Sequence, residues 1–232
     1  MSLLSWFVDA PLWFHLVIVG AWLGVIGLSA EWLYRHTTAG SEVARKVVHI
    51  GTGNVILFAW WLHIPAWVGI GASVVFGAIA FLSYRLPILP SINGVGRKSL
   101  GTFFYAVSIG ILVGWFWVIQ QYHHAVLGVL VMTWGDGLAA LVGQRFGNHP
   151  YKVWGMSKSW EGTLAMFLIS YLVSSLILLA VYGGLWQIWA ISFFVALLAT
   201  GLEAFSKYGI DNLTVPIGSA ALSLGLTQLL LG

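Results

Sequence analysis

Eight apolar segments, each about long enough to cross a bilayer as a helix, leave this 232-residue chain few ways to fold. They run over 12–34, 47–62, 66–84, 100–119, 125–142, 163–182, 185–203 and 215–231. The ten Lys and Arg residues fall only in alternate connections. Arg35, Arg45 and Lys46 follow the first segment, Arg85, Arg97 and Lys98 the third, Arg145, Lys152 and Lys158 the fifth, and Lys207 the seventh. In an eight-span chain those four connections share one face. The positive-inside rule makes that face cytoplasmic and puts both termini on the other side. The predicted fold is an all-α polytopic membrane helical bundle, one integral membrane domain over 1–232. Composition agrees, with 7% charged residues against about 25% in ordinary soluble domains.

Several function classes drop out. The net charge of +3 does not point to nucleic acid, because the basic residues lie at helix ends and not in one patch. The chain has no cysteine, which excludes disulfides, thiolate catalysis and cysteine metal sites. The first apolar run lacks a basic segment before it and is longer than a signal-peptide core, so it is expected to remain as a span. No Walker A loop, protein-kinase motif set or HExxH zinc pattern is present.

One polar stretch interrupts the apolar frame. Gly135–Thr163 carries Asp136, Arg145, Lys152, Lys158 and Glu161 among recurring glycines. Asp136 lies about a dozen residues into the fifth segment. A lone Asp at a span's centre costs about 2.5–3.5 kcal/mol, so its default reading is functional. Gly135 and Gly137 predict a bent or broken helix that lets the carboxylate meet water, metal or a partner. Asp136, Ala140, Gly143 and Gly147 share a helical face of small residues. The second, fourth, sixth and eighth spans all begin at the basic face, and each start offers unpaired N–H groups. Arg45-Lys46, Arg97-Lys98 and Lys158 are expected just before three of these starts, and Thr214 with Pro216 reads as cap and early-turn proline of the fourth.

This face therefore combines carboxylates suited to Mg²⁺, lysines suited to phosphates and a frame open to lipid. Magnesium prefers one or two carboxylates plus substrate phosphate oxygens. Phosphoryl transfer needs mainly positioning and charge neutralisation. Structural roles stand beside these: Asp136 paired to a lysine in close packing, Ser159 and Glu161 completing a helix start, and basic residues anchoring headgroups.

In order along the chain, Arg45-Lys46-x-x-His49, Gly96-Arg97-Lys98-Ser99-Leu100-Gly101-Thr102, the Gly135–Thr163 stretch, and Glu203 with Gly209-Ile210-Asp211-Asn212-x-Thr214-x-Pro216 resemble the polyprenol kinase family of dolichol, phytol and CTP-dependent diacylglycerol kinases. Asp136, Ala139, Gly143 and Gly147 match the first half of the family's CTP-associated motif, and Lys158, Glu161 and Gly162 match the second. Ser157 and Ser159 depart from it, and the spacer is one residue longer, which favours the phytol-kinase-like branch. The resemblance implies an integral membrane enzyme, in the bacterial inner membrane with its active face cytoplasmic. It would move the γ-phosphate of CTP, or another nucleoside triphosphate, to an isoprenoid alcohol or diacylglycerol. Asp136 and Asp211 would hold Mg²⁺ or activate the alcohol, with Glu203 as a further metal ligand and His49 orienting the acceptor. Lys158, Arg97, Lys98, Arg45, Lys46, Gly143, Gly147 and Glu161 would serve the nucleotide. A cytidylyltransferase making a CDP-lipid fits the same face. A non-enzymatic transporter or scaffold would instead spread its charges through the bilayer depth.

Overall fold

The computed structural model describes residues 9–36, 40–83 and 100–232. Arg85, Arg97 and Lys98 lie outside the described residues. Each of the eight expected spans coincides with a helix or a helix pair. The helices are α1 (Leu12–His36), α2 (Gly40–Gly53), α3 (Val55–Trp61), α4 (Ala66–Ser83), α5 (Gly101–Phe116), α6 (Tyr122–Leu130), α7 (Gly137–Phe146), α8 (Trp160–Tyr182), α9 (Trp186–Ala204) and α10 (Asp211–Leu231). A π-helical turn, Val131–Asp136, joins α6 to α7 into one continuous span. Among the described residues six helical spans are long and apolar enough to cross a membrane: α1, α4, α6–α7, α8, α9 and α10. The sixteen-residue α5 and the broken pair α2–α3 supply the other two segments.

The span α6–α7 lies at the centre. In its apolar window 67% of residues are buried, against 6% for α1 on the outside. Two apolar clusters surround it. Leu127, Val131 and Met132 meet Met166, Ile191 and Val215, while Val126 and Val129 meet Leu112, Phe116 and Ala220. Val173 and Ile177 of α8 touch both clusters. Buried Ser170, Ser174, Ser192, Ser219 and Ser223 keep side chains small where helices approach, the usual device when lipid supplies no hydrophobic drive to associate.

Three local expectations change. The helix α2 begins at Gly40, so Arg45 and Lys46 sit within it instead of just before it. Glu42 in its first turn and an i, i+3 pair with Arg45 allow the helix to extend beyond the apolar run. The last helix begins at Asp211. Thr214 is therefore inside it, its hydroxyl donating to Ile210 O at 3.2 Å instead of capping. The α7–α8 connection also contains a short antiparallel hairpin, β1 (Pro150–Val153) and β2 (Met156–Ser159), with Val153 opposite Met156. Its two-residue turn has Trp154 at φ 48° and Gly155 at φ 80°, the left-handed pair that a tight hairpin turn demands.

The charged ends gather at one pole of the bundle. Leu100 N donates to Tyr208 O at 3.1 Å, joining the start of α5 to the α9–α10 connection. Lys46 of α2 reaches Asp136, and Lys158 of β2 reaches the end of α9. The opposite pole is closed by neutral contacts, Trp117 Nε1 to Ile64 O at 3.1 Å and His123 Nε2 with Tyr182 Oη at 2.8 Å.

Candidate active site

The π-helical turn is what presents Asp136. Single π turns widen a helix by one residue and recur at functional sites, because they redirect a side chain without ending the helix. Here the turn lets Trp134 donate to Asn54 Oδ1 at 2.9 Å, in the break between α2 and α3. It brings Asp136 toward α2. Lys46 Nζ lies 2.6 Å from Asp136 Oδ2 and 3.3 Å from Asp136 O. The lysine side chain is 4% exposed and the aspartate 15%. A buried carboxylate here is tolerable only because the ammonium is delivered with it.

His49 lies one turn further along α2, on the same face as Lys46. Its Nε2 stands 3.7 Å from Asp136 Oδ2, beyond a hydrogen bond, and is buried with no hydrogen-bond partner. Its ring packs on Tyr105 of α5 at 4.8 Å between centroids. Asp136 and His49 thus share one enclosed corner with an unsatisfied ring nitrogen 3.7 Å from the carboxylate. Arg45 points elsewhere on α2 and pairs with Glu42 at 2.5 Å. Burial would lower its pKa, but the carboxylates of Glu42, Asp136 and Asp211 outweigh this and raise it, so the guanidinium is firmly cationic.

A second ion pair closes the other side. Lys158 Nζ is 2.5 Å from Glu203 Oε1 and also donates to Glu203 O. Both side chains are mostly buried, 17% and 13% exposed. Asp211 opens α10 beside them. Its N–H donates to Ser206 Oγ at 2.7 Å, and its Oδ1 accepts from Asn212 Nδ2 at 3.3 Å. It interacts electrostatically with Asp136, Lys158 and Lys46, and Glu203 interacts with both aspartates. The three carboxylates and two lysines form one electrostatic unit. Asp211 alone among those carboxylates has no Lys or Arg at ion-pair distance among the described residues.

The glycines and Glu161 have structural partners of their own. A Cβ on Gly147 would lie 2.9 Å from Ser159 Oγ, as well as 2.2 Å from Gly143 O of its own helix, and one on Gly143 would lie 3.0 Å from Ser159 Oγ. Gly162 is as tight, 3.0 Å from Ala139 O. These glycines form the seam that lets α7 lie against the start of α8. Ser159 caps α8, accepting from Gly162 N at 3.2 Å, and Trp160 N donates to His149 O at 3.1 Å. Glu161 accepts from the backbone N–H groups of Asn148 and His149 and pairs with His149 Nδ1 at 2.6 Å. The first-turn N–H groups of Trp160 and Gly162 are therefore already engaged.

Among the described residues no group of three or more His, Asp and Glu side chains could by itself hold a metal ion. The donors fit Mg²⁺ in the form that takes one or two carboxylates and fills the remaining positions with phosphate and water. Asp211, with no Lys or Arg at ion-pair distance among the described residues, could serve as one such donor.

Similarity to known proteins decides the family. A phytol kinase of Synechocystis sp. is 53% identical over 222 residues, covering 96% of this chain and 95% of that protein. The chain belongs to the phytol kinase family. Phytol kinase 1, chloroplastic, of Arabidopsis thaliana is 27% identical over 89% of this chain and 77% of its own length. A probable chloroplastic phytol kinase of Triticum aestivum is 27% identical over 88% of this chain. No family model matches the chain. No solved structure matches it either. As a member of this family the chain is a membrane kinase that phosphorylates a lipid alcohol from a nucleotide donor.

In this family member the structure brings together Asp136, Lys46, His49, Lys158, Glu203 and Asp211, which are far apart in sequence. Sequence reading passed over Tyr105, His149 and Ser206. A tyrosine in an apolar run and a serine between Phe205 and Lys207 carry no pattern of their own. Only the packing shows that Tyr105 backs His49 and that Ser206 holds the start of α10.

Proposed function

We propose that the chain transfers the γ-phosphoryl group of CTP to phytol or a similar isoprenoid alcohol, at the cytoplasmic face of a bacterial inner membrane. The acceptor comes from what the most similar relatives are named for. The face comes from the one-sided distribution of Lys and Arg, with both termini opposite, in a single membrane domain. One observation supports the site above the rest: the Lys46–Asp136 and Lys158–Glu203 pairs converge with Asp211 at the charged pole of an otherwise apolar bundle.

Exposure and partners support the roles given to the described residues. Lys158 and Arg45, together with Arg97 and Lys98, bind the triphosphate. Lys46 is too enclosed for that and holds Asp136 charged and oriented. Gly143, Gly147 and Glu161 act on the nucleotide indirectly, by fixing the seam and loop that carry Lys158. Asp211 and Asp136, with Glu203 beside them, would hold Mg²⁺, which supplies charge neutralisation on the phosphate oxygens. The acceptor hydroxyl hydrogen-bonds to His49 Nε2 or Asp136. Its oxygen bonds to the γ-phosphorus as the bond to the β-phosphate bridging oxygen breaks. The hydroxyl proton passes to the Asp136 carboxylate, and the nucleoside diphosphate leaves. Positioning and charge neutralisation carry most of such a reaction.

Purified protein with labelled CTP or ATP, offered phytol, farnesol, undecaprenol and diacylglycerol, tests this. The expected products are CDP and phytyl monophosphate, lost on chelation and restored by added Mg²⁺. Pyrophosphate with a CDP-lipid, or turnover with ATP alone, would contradict the reading.

A further inference from the structure

A groove of about 710 Å³ runs between α9 and α10, within the roughly 300–1,000 Å³ of small-molecule sites. Its walls are Phe194, Leu197, Leu202 and Phe205 on one side and Leu222 and Leu226 on the other. Only Ser206 and Thr214 among its lining residues carry a polar side chain, and both stand at the charged pole. Ser206 Oγ accepts from the N–H of Asp211, so the polar end of the groove abuts Asp211, whose carboxylate has no Lys or Arg at ion-pair distance among the described residues. From Phe194 to Phe205 the wall extends about 16 Å along the helix axis. That is about half of the roughly 30 Å hydrocarbon thickness, the depth of one leaflet. Phe194, Leu197, Phe205 and Ile210 are exposed, so the groove opens sideways toward lipid.

We infer that this groove is the acceptor's tail site: the isoprenoid chain lies between α9 and α10, with its hydroxyl reaching past the Ser206–Asp211 end toward Asp136. Asp211 interacts electrostatically with Asp136. The inference rests on the kinase reading above for the identity of the occupant. Apolar walls one leaflet deep cannot recognise a polar metabolite. They match an amphiphile that enters from the bilayer with a small head and a long tail. The polar end meets the catalytic carboxylates, whereas Lys158 approaches Glu203 from the loop before α8. Tail and nucleotide therefore reach the reacting atoms from different sides. Thr214 spends its hydroxyl on Ile210 O, so it offers the tail no competing donor.

Gly201 makes the groove testable. It lines the groove, and a Cβ built on it meets no atom within 4 Å. Glycine is a poor helix former, so Gly201→Trp fills the groove without a penalty to the helix. Gly20→Trp on the outer helix α1, where a Cβ also meets nothing, is the control. In detergent-solubilised full-length protein, Gly201→Trp should raise the KM for a twenty-carbon isoprenoid alcohol at least tenfold and leave the nucleotide KM within twofold. Gly20→Trp should match wild type. A diazirine-bearing twenty-carbon alcohol should label α9 and α10 peptides in wild type and lose that labelling in Gly201→Trp. An unchanged lipid KM in a folded Gly201→Trp protein would overturn the assignment. Labelling spread over the outer helices as with a diazirine phospholipid, bulk lipid only, would do the same. Groove labelling without phosphorylation of any alcohol would contradict the kinase reading and leave the tail site standing. Phosphorylation with labelling elsewhere would remove the tail site alone.

Discussion

At the scale of single residues the chemistry turns on how two lysines are spent. Removing one member of a buried ion pair leaves the other charge unpaired, at a cost of about 3–5 kcal/mol. Lys46→Met should therefore destabilise the protein strongly, seen as a large fall in its melting temperature in detergent. The double variant Lys46→Met/Asp136→Asn removes both charges and should recover most of that stability while remaining inactive. Stability and activity returning together would mean that Asp136 serves packing only. Lys158→Met should instead raise the nucleotide KM at least tenfold and leave the lipid KM within twofold. The opposite split would move Lys158 from the phosphate to the acceptor. Asp136, Lys158 and Asp211 stood out in the sequence because charge is rare there. Their pairings did not, since Lys46 and Asp136 are ninety positions apart and nothing local links them.

Elements carry the next level of the account. Apolar run length located all eight segments, because a spanning helix needs about twenty apolar residues whatever its neighbours do. It could not show that α2 starts at Gly40, since Glu42, Arg45 and Lys46 belong to the helix without belonging to the apolar run. Nor could it show the π turn or the Trp154–Gly155 hairpin. The first shows itself in contacts to distant residues, Trp134 to Asn54 and Asp136 to Lys46, and strands of four residues are too short to leave a period. The glycine seam between α7 and α8 makes an ordered prediction. Gly147→Ala would drive a methyl to 2.2 Å from a backbone oxygen, whereas Gly143→Ala meets a serine hydroxyl at 3.0 Å. Overpacking of this kind costs about 1–3 kcal/mol. Gly147→Ala should thus melt well below Gly143→Ala, and equal melting temperatures would contradict the close approach of Gly147 to the end of α7.

For the whole molecule, the distribution of charge was legible before the fold was. Ten Lys and Arg in four alternate connections imply one polar pole, and the described helices gather their ion pairs there while histidine, tyrosine and tryptophan contacts close the other. The groove was not legible, because its walls come from apolar residues of two helices indistinguishable from other lipid-facing ones. The chain lacks cysteine, so single-cysteine variants report orientation cleanly. His149→Cys should react with an impermeant maleimide from the cytoplasmic side and Gly184→Cys from the opposite side. Labelling of both from one side would reverse or break the topology.

The central claim is that the Asp136 corner of the charged pole performs phosphoryl transfer to a lipid alcohol. Asp136→Asn keeps the shape of the side chain but cannot take the hydroxyl proton, and a general base contributes about 10²–10⁴-fold. The measurement is kcat for phytyl phosphate formation by purified wild-type and Asp136→Asn protein, each checked for an intact melting transition. A fall of at least about a hundredfold in a folded variant is the predicted result. A folded Asp136→Asn protein phosphorylating phytol at the wild-type rate would contradict the account.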